Sequence, residues 1–120
     1  MKLMEMKTLD FSFSDERGSL TQLVHQGYEQ VNVIFTRKGV ERGGHFHKQS
    51  IECFYVVRGS VKVTAWLEDL AEEQVFHAGD FFQINRHVVH CMTFPEECIL
   101  VAMYDKCVEL ADGTKDIFPA

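Results

Sequence analysis

The sequence predicts an all-β protein, a small sandwich or barrel of about eight or nine short strands. Three observations carry that expectation. Apolar and polar residues alternate with a period of two in one segment after another, and these segments are rich in β-branched and aromatic side chains. Glycines and short polar clusters interrupt the pattern at close intervals, as turns do. Long runs with the 3.6-residue apolar rhythm of a helix are hard to find.

The expected strands follow from these patterns. Ser19–Val24 is a short one and Gln30–Arg37 a stronger one. Gly43–Gly44 breaks the pattern before His45–Lys48. Ile51–Val57 and Ser60–Leu67 flank Arg58–Gly59, which reads as a tight hairpin. Glu73–His77, Phe81–Ile84, Val88–Phe94 and Cys98–Tyr104 complete the set, and short even spacing of this kind suits a sandwich or barrel. Helix is expected only as a turn near Leu67–Glu73 or at the C-terminus.

With 120 residues, 46% of them hydrophobic, the chain is the size of one domain and is read as a single unit over 1–120. A chain this long buries roughly two-thirds of its unfolded surface, enough for one core without disulfides. Two prolines and no Gly/Ser-rich stretch leave no linker. Cys53, Cys91, Cys98 and Cys107 form no C-x-x-C pair and sit in apolar runs, where cysteine acts as a small core residue. The net charge of −6 argues against general nucleic-acid binding, although a few arginines in one cleft can still recognise a phosphate-bearing small ligand. The first residues carry no long apolar run and no segment approaches the ~20 apolar residues of a membrane helix, so a cytoplasmic location is expected.

The strongest chemical signal is GVERGGHFHKQSIECFYVVRG, from Gly39 to Gly59. His45 and His47 are two apart, so on a strand both project to one face. Glu52 lies beyond a short turn and can return to the same centre. A second segment, GDFFQINRHVVHCMTF, brings His90 from a later strand. Three imidazoles and a carboxylate suit a divalent ion such as Zn, Fe, Mn or Ni. Placing them in an apolar barrel without a metal or polar partners is costly. By strand alternation Cys53 and Cys91 point away from Glu52 and His90.

The two segments resemble the paired motifs of the cupin superfamily. The first, G-x5-H-x-H-x4-E-x6-G, is matched at every defined position from Gly39 to Gly59. The second is matched at Gly79 and His90 but departs at Asn85, His87 and Phe94, where the family usually has Pro, Gly and Asn. The resemblance implies a single-domain cupin barrel, a jelly roll or double-stranded β-helix, with His45, His47, Glu52 and His90 as metal ligands.

Asp15-Glu16-Arg17-Gly18 and Arg42-Gly43-Gly44-His45 are similar to elements of the sugar-nucleotide branch of the cupins. That branch includes dTDP-4-keto-6-deoxyglucose 3,5-epimerases, dTDP-sugar 3,4-ketoisomerases and the C-terminal cupin domain of capsular-polysaccharide reductase/epimerases. The RGGHFHK run from Arg42 to Lys48 resembles the ketoisomerases; Glu52 and His90 favour the metal-bearing capsular type. The resemblance implies a dTDP- or UDP-sugar substrate, with Arg17 and Arg42 on the diphosphate and Lys48 nearby. A metal would polarise the C4 ketone of a 4-keto-6-deoxy sugar, and a base that does not ligate it would take the C3 proton. His87 is the first candidate base and Tyr55 the second, although Tyr55 is out of phase with Glu52. A non-haem metal dioxygenase and a non-catalytic sugar- or small-molecule-binding cupin are the alternatives. A homodimer paired through outer strands is expected.

Overall fold

The computed structural model describes residues 2–120. In chain order the strands are β1 (Met4–Met6), β2 (Phe11–Asp15), β3 (Gly18–Gln22), β4 (Gln30–Thr36), β5 (Glu41–Phe46), β6 (Glu52–Arg58), β7 (Ser60–Leu67), β8 (Leu70–His77), β9 (Phe81–Ile84), β10 (Val89–Thr93), β11 (Cys98–Tyr104) and β12 (Phe118–Pro119). One antiparallel sheet runs β1-β9-β6-β11-β4 and a second β12-β5-β10-β7-β8, while β2 and β3 form a separate hairpin. The two sheets pack face to face as a cupin jelly roll.

Alternation places the core as expected. In β7, Val61, Val63 and Ala65 are buried between the sheets, and in β11 Leu100, Ala102 and Tyr104 face them. The rings of Phe76 and Phe82 stack with centroids 3.6 Å apart, and Phe54 packs on Phe82 at 5.4 Å. This aromatic plug fills part of the barrel interior, and Phe54 reaches the cavity that His45 and His90 line. On the outside of the first sheet, Cys53, Phe81 and Met103 form a second cluster under Leu9, Leu23, Val24 and Tyr28. Cys53 therefore does point away from Glu52, and all four cysteines are free.

Three expectations are corrected. The segment at Leu67–Glu73 is not helical: Glu68 turns the chain with φ 55°, and β7 pairs with β8 from Ser60–His77 to Leu67–Leu70. The C-terminus holds turns and β12, and no helix occurs among the described residues. Arg58–Gly59 is not a hairpin, because β6 and β7 belong to different sheets. It is a corner, and Gly59 is required there: with φ 83°, an added Cβ would lie 2.0 Å from the Glu97 carbonyl oxygen.

Candidate metal centre

His45 lies in β5, His47 just beyond its end, Glu52 opens β6 and His90 is the second residue of β10. His90 pairs in register with His45 across the β5–β10 ladder, which puts both rings on the inner face. The turn after β5 carries His47 back over them. One donor atom from each of the four residues falls within 4.8 Å of every other. His47, Glu52 and His90 are buried, and His45 is partly exposed.

The hydrogen bonds fix how these rings are presented. His47 Nδ1 faces the Asp116 carbonyl oxygen at 2.6 Å, and His90 Nδ1 faces that of Val88 at 3.2 Å. A carbonyl accepts only, so each Nδ1 carries a proton. The Nε2 atoms of His47 and His90 then point at Glu52 Oε1, at 3.2 and 3.3 Å. In neutral rings these Nε2 atoms are bare lone pairs facing a carboxylate lone pair. A proton or a cation must sit between them, and one divalent ion would satisfy both nitrogens and the carboxylate together. The donor set fits a metal.

The electrostatics agree. Burial alone would raise the Glu52 pKa, but hydrogen bonds from His47 and His90 hold it well below the usual carboxylate range. Burial opposes charge on His47, yet the Glu52 carboxylate and Asp116 together outweigh it and raise that pKa. His45 is pushed down, first by burial and then by the charge of His90.

The Gly43–Gly44 pair shapes this wall. In the β5–β10 register His90 meets His45 and Cys91 meets Gly43, so Gly44 is the extra residue of a bulge. Both glycines have positive φ, 102° and 77°. A Cβ on Gly43 would lie 2.5 Å from the His90 carbonyl oxygen. The bulge also changes parity. Arg42 is three residues from His45 and would otherwise point to the opposite face; with one extra residue both line the same cavity. That cavity, about 210 Å³, is walled by Ile34, Phe54, Met92, Tyr104 and Ile117 around Arg42, His45, Glu52 and His90.

The other expected site residues divide. Arg42 is at the cavity, its Nε donating to Thr36 Oγ1 at 2.8 Å. Arg17 is not; it sits on the β2–β3 hairpin, paired with Asp15 at 2.6 Å and 80% exposed. Lys48 is also elsewhere, its Nζ 4.2 Å from the centre of the Phe118 ring. Tyr55 is corrected outright: it faces the outer cluster against Phe81, as its phase relative to Glu52 requires. His87 has an exposed side chain and φ 69°, taking the left-handed conformation where the family pattern has Gly. Its contribution is a backbone N–H donated to the His47 carbonyl at 2.7 Å.

Two residues went unread in the sequence. Tyr104 stands opposite Glu52 in the β6–β11 register, its ring edge-on to His47 at 5.7 Å. Burial, then the Glu52 carboxylate, push its phenol pKa far up. The alternation Leu100, Ala102, Tyr104 could have revealed it. Asp116 had no local signal at all.

Fold and site together define a cupin barrel with an inward His-His-Glu-His constellation. The chain belongs to the polysaccharide biosynthesis C-terminal domain family, whose sequence pattern matches residues 13–94. That span runs from the β2–β3 hairpin to the end of β10 and leaves out Tyr104 and Asp116. Among curated proteins none matches the sequence. Solved structures with the same fold include WlaRB, a TDP-quinovose 3,4-ketoisomerase from Campylobacter jejuni. It shares 20% identity at a TM-score of 0.83, over 100% of this chain and 95% of that one. QdtA, a sugar 3,4-ketoisomerase from Thermoanaerobacterium thermosaccharolyticum solved with TDP, shares 20% at 0.75, over 87% and 81%. A dTDP-4-dehydrorhamnose 3,5-epimerase from Sulfolobus tokodaii shares 18% at 0.68, over 86% and 75%.

Proposed function

We propose that this protein is a metal-dependent isomerase or epimerase acting on a nucleotide-linked 4-keto-6-deoxy sugar, for surface-polysaccharide synthesis. The observation that carries the reading is the approach of two Nε2 atoms to one oxygen of Glu52, at 3.2 and 3.3 Å, at a cavity walled partly by Ile34, Phe54, Met92 and Ile117. Membership of a polysaccharide-biosynthesis family supports the pathway, and similarity to ketoisomerases and a 3,5-epimerase supports the substrate class.

His45, His47, Glu52 and His90 would hold the divalent ion, of which Zn, Fe, Mn and Ni suit the donors. When bound, the ion supplies Lewis-acid polarisation of the sugar ketone. Every other role falls to the chain. Arg42, its guanidinium held at the cavity wall by Thr36, would take an oxygen of the diphosphate. Ile34, Met92 and Ile117 give the deoxy side of a sugar an apolar wall. Tyr104 is the one acid–base group among the cavity-lining residues outside the four ligands. Its hydroxyl keeps its proton and can donate it as a hydrogen bond to the oxygen that gains charge when the C3 proton leaves. Return of a proton to C3 from the other face, with the C4 ketone re-formed, gives an epimer; delivery of a proton at C4, with the O3 proton passing to O4, gives the 3-keto isomer.

The test is incubation of the metal-loaded protein with dTDP-4-keto-6-deoxyglucose in D2O. Deuterium at C3, or at C4 of a 3-keto product, detected by NMR, supports the reading, and no exchange across several dTDP- and UDP-keto-sugars sinks it. Elemental analysis of the purified protein names the metal.

The partner is read as a second copy of the chain. Val31, Val33 and Phe35 lie exposed along β4, the edge strand of its sheet, and Phe11, Phe13 and Leu20 lie exposed on the β2–β3 hairpin. A two-stranded hairpin is marginal in water by itself, and an apolar edge strand is normally covered. Light scattering coupled to gel filtration should give a dimer mass; a monomer at micromolar concentration excludes it.

A further inference from the structure

The last turn of the chain reaches the candidate metal centre from outside the barrel. Asp116 is 1% exposed, and its carboxylate accepts three backbone N–H groups from the turn that carries His47. One oxygen takes Lys48, at 2.9 Å; the other takes Gln49 and Ser50, at 2.9 and 3.0 Å. The carbonyl of the same residue accepts the His47 Nδ1 proton at 2.6 Å. Asp116 therefore holds both the backbone around His47 and the tautomer of its ring.

The residues around it are tied down on the same strand edge. Asp116 N donates to the Val108 carbonyl at 2.7 Å, and Ala120 N to that of Gly44 at 2.9 Å. In β12, Phe118 pairs with Phe46 and Pro119 with His45. Ile117, between these anchors, forms part of the cavity wall. A segment of six residues thus covers the β5 edge, orients one ligand and lines the pocket.

We propose that Lys115–Ala120 is a strap whose docking is thermodynamically coupled to metal binding through Asp116, the positioning residue for His47. The proposal rests on the metal reading above. The physical basis is general: a ligating imidazole is oriented by whatever takes its other N–H, and removing such a partner typically weakens metal binding ~10–100-fold. Reciprocity follows, because a strap that tightens metal binding by some factor is itself held down by the metal by the same factor.

The experiment compares the full-length protein with Asp116→Ala and Asp116→Asn, titrating Zn2+ against a chromophoric chelator. Asp116→Ala keeps the carbonyl that takes the His47 proton but frees the turn that presents the ring, so it should bind Zn2+ about tenfold more weakly, the low end of the ~10–100-fold that outright loss of such a partner costs. Asp116→Asn keeps one carbonyl oxygen for the turn and should fall between that variant and the wild type. Two readouts separate positioning from a general loss of structure. The wild-type His47 Nδ1 proton should give a downfield NMR signal that persists with Zn2+ and that moves upfield in Asp116→Ala, as the bond to the residue 116 carbonyl loosens with the turn. The amides of Asp116 and Ala120 should exchange more slowly in the Zn2+-loaded wild type than in the metal-free protein. Zn2+ affinity unchanged in both variants, or strap amides indifferent to Zn2+, overturns the coupling while leaving the metal site standing. A wild-type chain that binds neither Zn2+ nor Fe2+, Mn2+ or Ni2+ overturns the metal reading and the strap with it. Should Asp116→Ala fail to fold, the Asn variant and wild-type amide exchange decide the question.

Discussion

The barrel and the β2–β3 hairpin are written in the same alternating pattern and end in opposite situations. In the barrel, Phe54, Phe76 and Phe82 are each no more than 2% exposed. In the hairpin, Phe11, Phe13 and Leu20 are 48–56% exposed, and neither strand pairs with either sheet. Alternation specifies a strand and its two faces; it does not say what covers them. The barrel supplies its own cover, from the opposite sheet. The hairpin's Phe11, Phe13 and Leu20 stay uncovered among the described residues, and a second copy is proposed to cover them. Within the barrel the same contrast recurs on a smaller scale, between a packed aromatic plug and a polar centre.

The sharpest way to break the comparison is at the polar centre. Glu52→Gln removes the charge that both Nε2 atoms address and leaves an amide in its place. Metal affinity, measured by titration calorimetry, should fall by more than the ~10–100-fold that loss of an outer hydrogen-bond partner costs. Unchanged affinity would remove Glu52 from the ligand set.

Packing comes next. Phe82→Ala, between Phe54 and Phe76, should cost about 3–5 kcal/mol in denaturant unfolding. Phe13→Asp, at a residue of the same type on the hairpin, should change the stability of the dissociated chain by no more than about 0.5 kcal/mol. Instead it should weaken self-association at least about tenfold, a loss of ~1.4 kcal/mol, read from the concentration dependence of the mass. Equal effects of the two substitutions on unfolding would show that the hairpin packs on its own barrel.

The bulge in β5 is the third target. Gly43→Ala must place a Cβ 2.5 Å from the His90 carbonyl oxygen at a positive φ. Backbone strain of this kind costs roughly 1–3 kcal/mol. The β5–β10 ladder should relieve it by losing the extra residue, turning Arg42 away from the cavity. Binding of a nucleoside diphosphate should therefore weaken more than the fold does; Gly79→Ala, at an open turn with positive φ, is the control.

What was legible in the sequence follows from range. The four clustered residues were readable because His45 and His47 are two apart and because Glu52 and His90 stand at fixed distances from glycines that make corners. Most strands were readable for the same local reason. Arg42 lines the cavity although simple parity from His45 would have sent it outward; the bulge that turns it back depends on the partner strand. The Arg58–Gly59 corner and the Glu68 turn exchanged roles for a similar reason: each is flanked by alternating strands, and only pairing decides which is a hairpin. Asp116 was invisible because its partners are 66 to 69 residues away. Tyr55 faces the outer cluster, and His87 gives its backbone N–H to His47 while its ring is exposed; both placements depend on strand pairing and turn geometry.

The smallest effect concerns the proton that stands in for a metal, since it changes charge within an intact barrel. In the metal-free protein the Glu52 carboxylate raises the His47 pKa above its ordinary 6.5, and the Glu52 pKa lies below its ordinary 4.5. A raised histidine stabilises the fold below its unfolded pKa and loses that contribution as pH rises through the folded value. A depressed carboxylate stabilises it above its unfolded pKa and loses that contribution as pH falls. The pair therefore contributes most between 4.5 and 6.5. His45, pushed down by burial, gives the opposite slope, so the pair is read as the difference between wild type and Glu52→Gln. That difference in melting temperature should shrink from about pH 6 to about pH 9 without metal. With metal bound it should grow over the same range, because the proton on His47 is then a competitor to be displaced. Slopes of the same sign in both states would mean that proton and metal do not share the space between His47 and Glu52.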